Sequence, residues 1–185
     1  MFRHLTWLAL SLALAMPAFA DGESPWKDAG WCDNHYDLDK PPPPRLNLPE
    51  WVCRASFSGK LFDKYDLYVG INPLFISGDF NGDRKTDVAV WITNRTTMER
   101  GILILHQGDA RYFSFAAGTD AGDRGTDWTN LDAWSPLVRG EMLSSPHEER
   151  ALTLPNDAIM MVKSESLSFA IYWSDKRYEI YTLSD

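Results

Sequence analysis

From Trp51 onward the chain is a succession of short runs of β-branched, aromatic and aliphatic residues, each closed by Gly, Asp, Asn or Ser. Runs of that length are too short for stable helices and are made of strand-forming residues, so the rhythm commits this part of the chain to sheet. The clearest are Leu67–Ile71, Asp87–Thr93, Gly101–Gln107, Arg111–Ala116, Ala158–Lys163, Leu167–Trp173 and Arg177–Leu183. Gly108-Asp109-Ala110 and Ser174-Asp175-Lys176 fall between consecutive runs where hairpin turns belong, which makes the flanking strands antiparallel. Asp127–Trp134 has room for one or two helical turns, and the polar stretch Val138–Pro155 reads as a long loop. The expectation is a mainly β, single antiparallel sheet-based domain over residues 51–185.

The N-terminal 50 residues have a different character. Arg3 and His4 precede an apolar run from Leu5 to Met16, then Pro17 and Ala18-Phe19-Ala20. This is the layout of a secretory signal peptide over residues 1–20, with cleavage expected before Asp21. The run is short of the roughly 20 apolar residues that a spanning helix needs. No membrane span is expected in the mature chain, and the expected compartment is periplasmic or secreted. Residues 21–50, rich in Pro, Asp and Trp, read as an irregular arm. Cys32 and Cys53 are the two cysteines of the chain. In an oxidising compartment they form most simply one disulfide, closing a loop around Pro41–Pro44 and contributing about 3 kcal/mol in the chain-entropy model. There is no Cys-x-x-Cys for redox work and there are too few thiols for a zinc site.

The stretch Gly78-Asp79-Phe80-Asn81-Gly82-Asp83-Arg84-Lys85-Thr86-Asp87 is the most specific in the chain. Asp79, Asn81, Asp83 and Asp87 put side-chain oxygens at positions 1, 3, 5 and 9 of a tight loop, and Lys85 at position 7 can add its main-chain carbonyl. A hard cation of the size of Ca2+ takes six to eight such oxygens. Three converging carboxylates without a cation would repel one another. An EF-hand fits less well, because its twelfth position requires a bidentate Glu and here holds Val90. The plain alternative is an Asx-rich turn that binds nothing.

GDFNGDRKTDVAVWI resembles the calcium loop of FG-GAP or VCBS-type repeats, whose pattern is roughly D-x-[DN]-G-D-G-x-x-D followed by a strand. The resemblance implies Ca2+ ligation by Asp79, Asn81, Asp83, Asp87 and the carbonyl of Lys85. It extends over about 20 of the 185 residues. Arg84 stands where the pattern has Gly, so the backbone there must either tolerate an awkward turn or adopt another one. A single copy cannot close a propeller, so no complete propeller is expected. The wider order, with one motif, a later Gly/Asp-rich segment before Asp132-Ala133-Trp134 and a terminal Tyr-Trp hairpin, resembles uncharacterised secreted bacterial proteins. That implies a fold and no activity.

A second acidic cluster, Asp120, Asp123 and Asp127, has a different spacing from the first and reads either as a second ion site or as a polar surface loop. Catalytic constellations are sparse. His35, His106 and His147 are scattered, and there is no His-Glu-x-x-His, no Gly-x-Ser-x-Gly and no phosphate-cradling glycine loop. His106, at the end of a strand run, reads as half-buried or solvent-facing. With 18 Lys and Arg against 26 Asp and Glu, the net charge of −8 argues against nucleic acid as a partner. Trp91 and Trp173 read as core; Trp26, Trp31 and Trp51 either pack the arm or present faces to a protein or glycan ligand. Together these point to an exported, calcium-binding, non-enzymatic binding or accessory module. The alternative expectation is a periplasmic inhibitor or immunity protein against a basic cell-wall hydrolase.

Overall fold

The computed structural model describes residues 48–52, 55, 61–109, 111–147 and 149–184. The segment read as a signal peptide, the arm up to residue 47, and both Cys32 and Cys53 lie outside the described residues. Residues 50–52 are helical, and the one-turn helix α1 (Leu61–Lys64) leads into β1 (Tyr65–Leu67). The strands that follow are β2 (Phe75–Gly78), β3 (Asp87–Asn94), β4 (Arg100–Leu105), β5 (Tyr112–Ala116), β6 (Ala133–Leu137), β7 (Met142–Leu143), β8 (Leu152–Thr153), β9 (Ala158–Lys163), β10 (Leu167–Ser174) and β11 (Arg177–Ser184).

The strands form antiparallel sheets, none closed into a barrel or propeller. In the first sheet the order is β1-β3-β4-β5, with β2 also paired to β3. β1 takes Ile92–Asn94 and β2 takes Asp87–Val90, so the two short strands share β3 end to end. The second sheet runs β11-β10-β9-β6, and β7 with β8 makes a separate hairpin.

The sequence of β3 explains how these layers stack. Because strand side chains alternate, Ala89 and Trp91 point into one core cluster while Val88, Val90 and Ile92 point into another. β4 matches it in register: Ile102 and Ile104 lie opposite Trp91 and Ala89, and Leu103 and Leu105 opposite Val90 and Val88. A sheet apolar on both faces must be covered on both. One face packs on the second sheet through Ile159, Met161, Phe169 and Ile171, making the main core of a sandwich. The other is covered by Val52, Leu61 and Tyr65, with Trp51 packed alongside. The outer face of the second sheet, Ala158, Ala170 and Tyr181, is covered by Leu143 and Leu154 around the β7–β8 hairpin.

Three sequence expectations change. The run Leu67–Ile71 is not one strand: β1 ends at Leu67, the chain bends through Gly70 and Pro73, and pairing resumes at Phe75. Pro73 carries no N–H for a ladder. Asp127–Trp134 is not helical; it is a turn running into β6, whose Trp134 pairs with Met161 of β9. Among the described residues β6 pairs only with β9, and such an edge position accommodates Pro136. Finally, Val138–Pro155 contains the β7–β8 hairpin, because Leu143 and Leu154 gain burial on the second sheet.

Candidate metal loop

The loop of Asp79–Asp87 joins β2 to β3, two strands paired directly from Gly78↔Asp87 onward. Phe80, fully buried, anchors its first half in the main core. Asp87 closes the other end. Its Oδ2 accepts the N–H of Phe80 at 3.1 Å and of Asn81 at 3.2 Å, and its Oδ1 accepts the N–H of Gln107 at 3.0 Å. Asp87 is fully buried, and the desolvation of its carboxyl raises its pKa to about 6 against the pull of those N–H donors. A divalent cation beside it would offset that cost.

The remaining expected ligands line the loop. Asn81 Oδ1 accepts the N–H of Asp83 and Asp83 Oδ1 that of Lys85, both at 2.9 Å, which curls the segment through successive Asx turns. Asp79 Oδ2 accepts the N–H of Arg84 at 3.0 Å. Its other oxygen, Oδ1, is buried without a hydrogen-bond partner. A buried carboxylate oxygen left unsatisfied is costly and calls for a cation or a water. Arg84 adopts φ 67°, a left-handed conformation that a non-glycine residue takes only at a cost. Gly82 is also left-handed, at φ 79°.

Lys85 contributes more than its carbonyl. Its Nζ lies 3.2 Å from Asp83 Oδ2. For Asp83 the upward push of burial is outweighed by the amide, the side-chain hydrogen bond and the charge of Lys85, and its carboxyl is held below the ordinary range. Among the described residues no three His, Cys, Asp or Glu side chains gather into a metal cluster. The side-chain oxygens of this loop are carboxylate and amide, and all of those of Asp79, Asn81, Asp83 and Asp87 except Asp79 Oδ1 already accept an N–H.

Asp157 is a functional candidate that the sequence reading missed. It follows β8 in the chain, yet its Oδ2 accepts the Asp79 N–H at 2.9 Å and its own N–H donates to the Asp79 carbonyl at 3.2 Å. Asn156 Oδ1 sits over the loop, only 2.4 Å from where a Cβ on Gly82 would fall. No spacing signal links residues 78 positions apart.

The second acidic cluster is dispersed over separate turns. Asp120 Oδ1 accepts the Gly122 N–H at the 3-10 turn Gly122–Arg124, whereas Asp127 Oδ1 takes the N–H groups of Arg100 and Thr129. His106 is buried rather than half-buried or solvent-facing, with 2% exposure, and packs among Phe113, Trp173 and Tyr178. Trp91 is core as expected; Trp173 is half-buried.

No family model, curated protein or solved structure matches the chain. The likeness to FG-GAP and VCBS loops therefore rests on the residues of this one segment. Among the described residues no helix is long and apolar enough to cross a membrane.

Proposed function

We propose that the chain is an exported, non-enzymatic β-sandwich module that binds one Ca2+ in the Asp79–Asp87 loop and uses it to hold a binding face in shape. The ligands would be Asp79, Asn81, Asp83, the carbonyl of Lys85 and Asp87. The observation that carries this reading is the buried, unpartnered Asp79 Oδ1 in a loop already curled by Asn81 and Asp83. Asp87, whose oxygens also take main-chain N–H groups, would fix the closing end of the loop as it ligates. At millimolar calcium, a site of about 10–100 µM affinity adds about 1.4–2.7 kcal/mol to stability. The test is a thermal melt of the mature protein in EDTA and across a calcium titration, with Asp83→Ala alongside. A saturable rise in melting temperature in the wild type, absent from the variant, supports the reading. No rise in the wild type at millimolar calcium overturns it.

A further inference from the structure

The loop does not end at its own ligands. Asp157 grips both polar groups of the Asp79 main chain, as described above, and its second oxygen, Oδ1, accepts the Arg139 N–H at 3.0 Å. One carboxylate thus holds the first residue of the metal loop and the turn that follows β6. That turn is tightly built: Glu141 N–H donates to the Val138 carbonyl, Val138 N–H to Glu141 Oε1, and Gly140 N–H to the Leu154 carbonyl. The turn presents Val138, and β7 just after it Met142, to solvent, 61% and 74% exposed. Asn156, the neighbour of Asp157, occupies the space above Gly82 inside the loop. Residues 156–157 are therefore in register with the loop at two points, one at each side of Phe80.

We infer that Asp157 couples occupancy of the Asp79–Asp87 loop to the 138–141 turn on the second sheet, an inference that rests on the calcium reading. Without an ion, Asp79 Oδ1 has no partner and the loop is held by its own main-chain hydrogen bonds alone, so it opens more readily than with an ion in place. Opening withdraws the Asp79 main chain from Asp157 and loosens the hold of Asp157 on Arg139. With the ion bound, Asp79 is fixed, Asp157 is fixed by it, and the Arg139 amide is protected. Linkage makes the effect reciprocal: an intact Asp157 bridge must tighten calcium binding by the factor by which calcium tightens the bridge. Asp157 is thus a positioning residue, touching the loop main chain rather than the ion.

The experiment uses the full mature chain, stripped with EDTA and titrated calorimetrically with CaCl2, together with hydrogen exchange of residues 137–142 with and without calcium. In the wild type, saturating calcium should slow exchange of the Arg139 amide at least tenfold. Asp157→Asn, which leaves one of the two N–H donors without a carboxylate oxygen, should bind calcium at least fivefold more weakly at a temperature where it is folded. It should also lose the calcium-dependent slowing at saturation. A merely structural role would lower the melting temperature in EDTA but leave the affinity of the folded variant unchanged, and that result overturns the inference. So does calcium binding by the wild type with unchanged Arg139 exchange, a measurement that needs no variant. Failure of the wild type to bind calcium at all overturns the parent reading along with it.

Discussion

His106 and Tyr178 share a hydrogen bond of 2.7 Å, Nε2 to Oη, that ties the residue just past β4 of the first sheet to β11 of the second. The imidazole is enclosed by Phe113, Trp173 and Tyr178, with ring centroids 5.0–5.7 Å away, and its Nδ1 is buried without a partner. Burial is the main reason its pKa drops to about 4, with Arg111 adding to the fall while Asp109, Asp83 and Asp79 oppose it.

The sign of the pH dependence follows. A base whose pKa is lowered on folding contributes stability in full above its unfolded value near 6.5, and that stability is lost as pH falls from there toward 4. Between pH 7 and pH 5 the loss attributable to His106 should be about 2 kcal/mol. Asp87, raised to about 6, acts in the opposite sense, favouring the fold as pH falls. Urea denaturation of wild type and His106→Gln at both pH values isolates the histidine: the difference between them should shrink at pH 5. A constant difference would contradict the assignment.

Lys85 should compete with calcium for Asp83. Its ammonium lies against Asp83 Oδ2 and is half-exposed, so the pair is worth less than about 1 kcal/mol. Lys85→Gln keeps the main-chain carbonyl and removes the competing charge. Calorimetric titration should show calcium affinity up to about fivefold higher in the variant. Weaker binding would mean that the side chain orders the loop instead.

Arg84 carries backbone strain that glycine would relieve. A non-glycine residue in the left-handed region costs about 1–2 kcal/mol, partly offset by the extra freedom glycine brings to the unfolded chain. Arg84→Gly should therefore stabilise the protein in EDTA by about 0.5 kcal/mol. Chemical denaturation reads this directly, and a loss of stability would show that the guanidinium makes a contact worth more than the strain.

A side chain at Gly82 should be costly while Asn156 is in place. A Cβ there falls 2.4 Å from Asn156 Oδ1, on a backbone of φ 79°. Gly82→Ala should cost about 1–3 kcal/mol, and the steric part should be recovered in the Gly82→Ala, Asn156→Ala double variant. Strict additivity in a double-mutant cycle would rule out the contact.

Phe80 makes the loop part of the core. It is fully buried among Ile76, Trp91 and their neighbours, so Phe80→Ala should destabilise by about 3–5 kcal/mol even without calcium. A loss below about 1 kcal/mol would mean the ring is not anchoring the loop.

The amino-acid sequence by itself determined what depends on neighbours in the chain. Short apolar runs closed by turn residues defined β3, β4, β9 and β10, turn residues defined the hairpins at 108–110 and 174–176, and the spacing of Asp79, Asn81, Asp83 and Asp87 marked an oxygen-rich loop. At Arg84 the sequence left two backbone turns open, and the structure shows the left-handed one. Only the tertiary structure decided what depends on layers meeting. β6 is a strand because β9 offers it an edge to pair with, although Asp127–Trp134 has room for a helical turn. The β7–β8 hairpin forms because Leu143 and Leu154 have a sheet face to cover. His106 is buried because β11 brings Tyr178 across the sandwich, and Asp157 reaches Asp79 because β2 and the segment after β8 end at the same side of the core. Local propensity and turn chemistry act over a few residues, whereas desolvation and long-range hydrogen bonds exist only once the two sheets have packed.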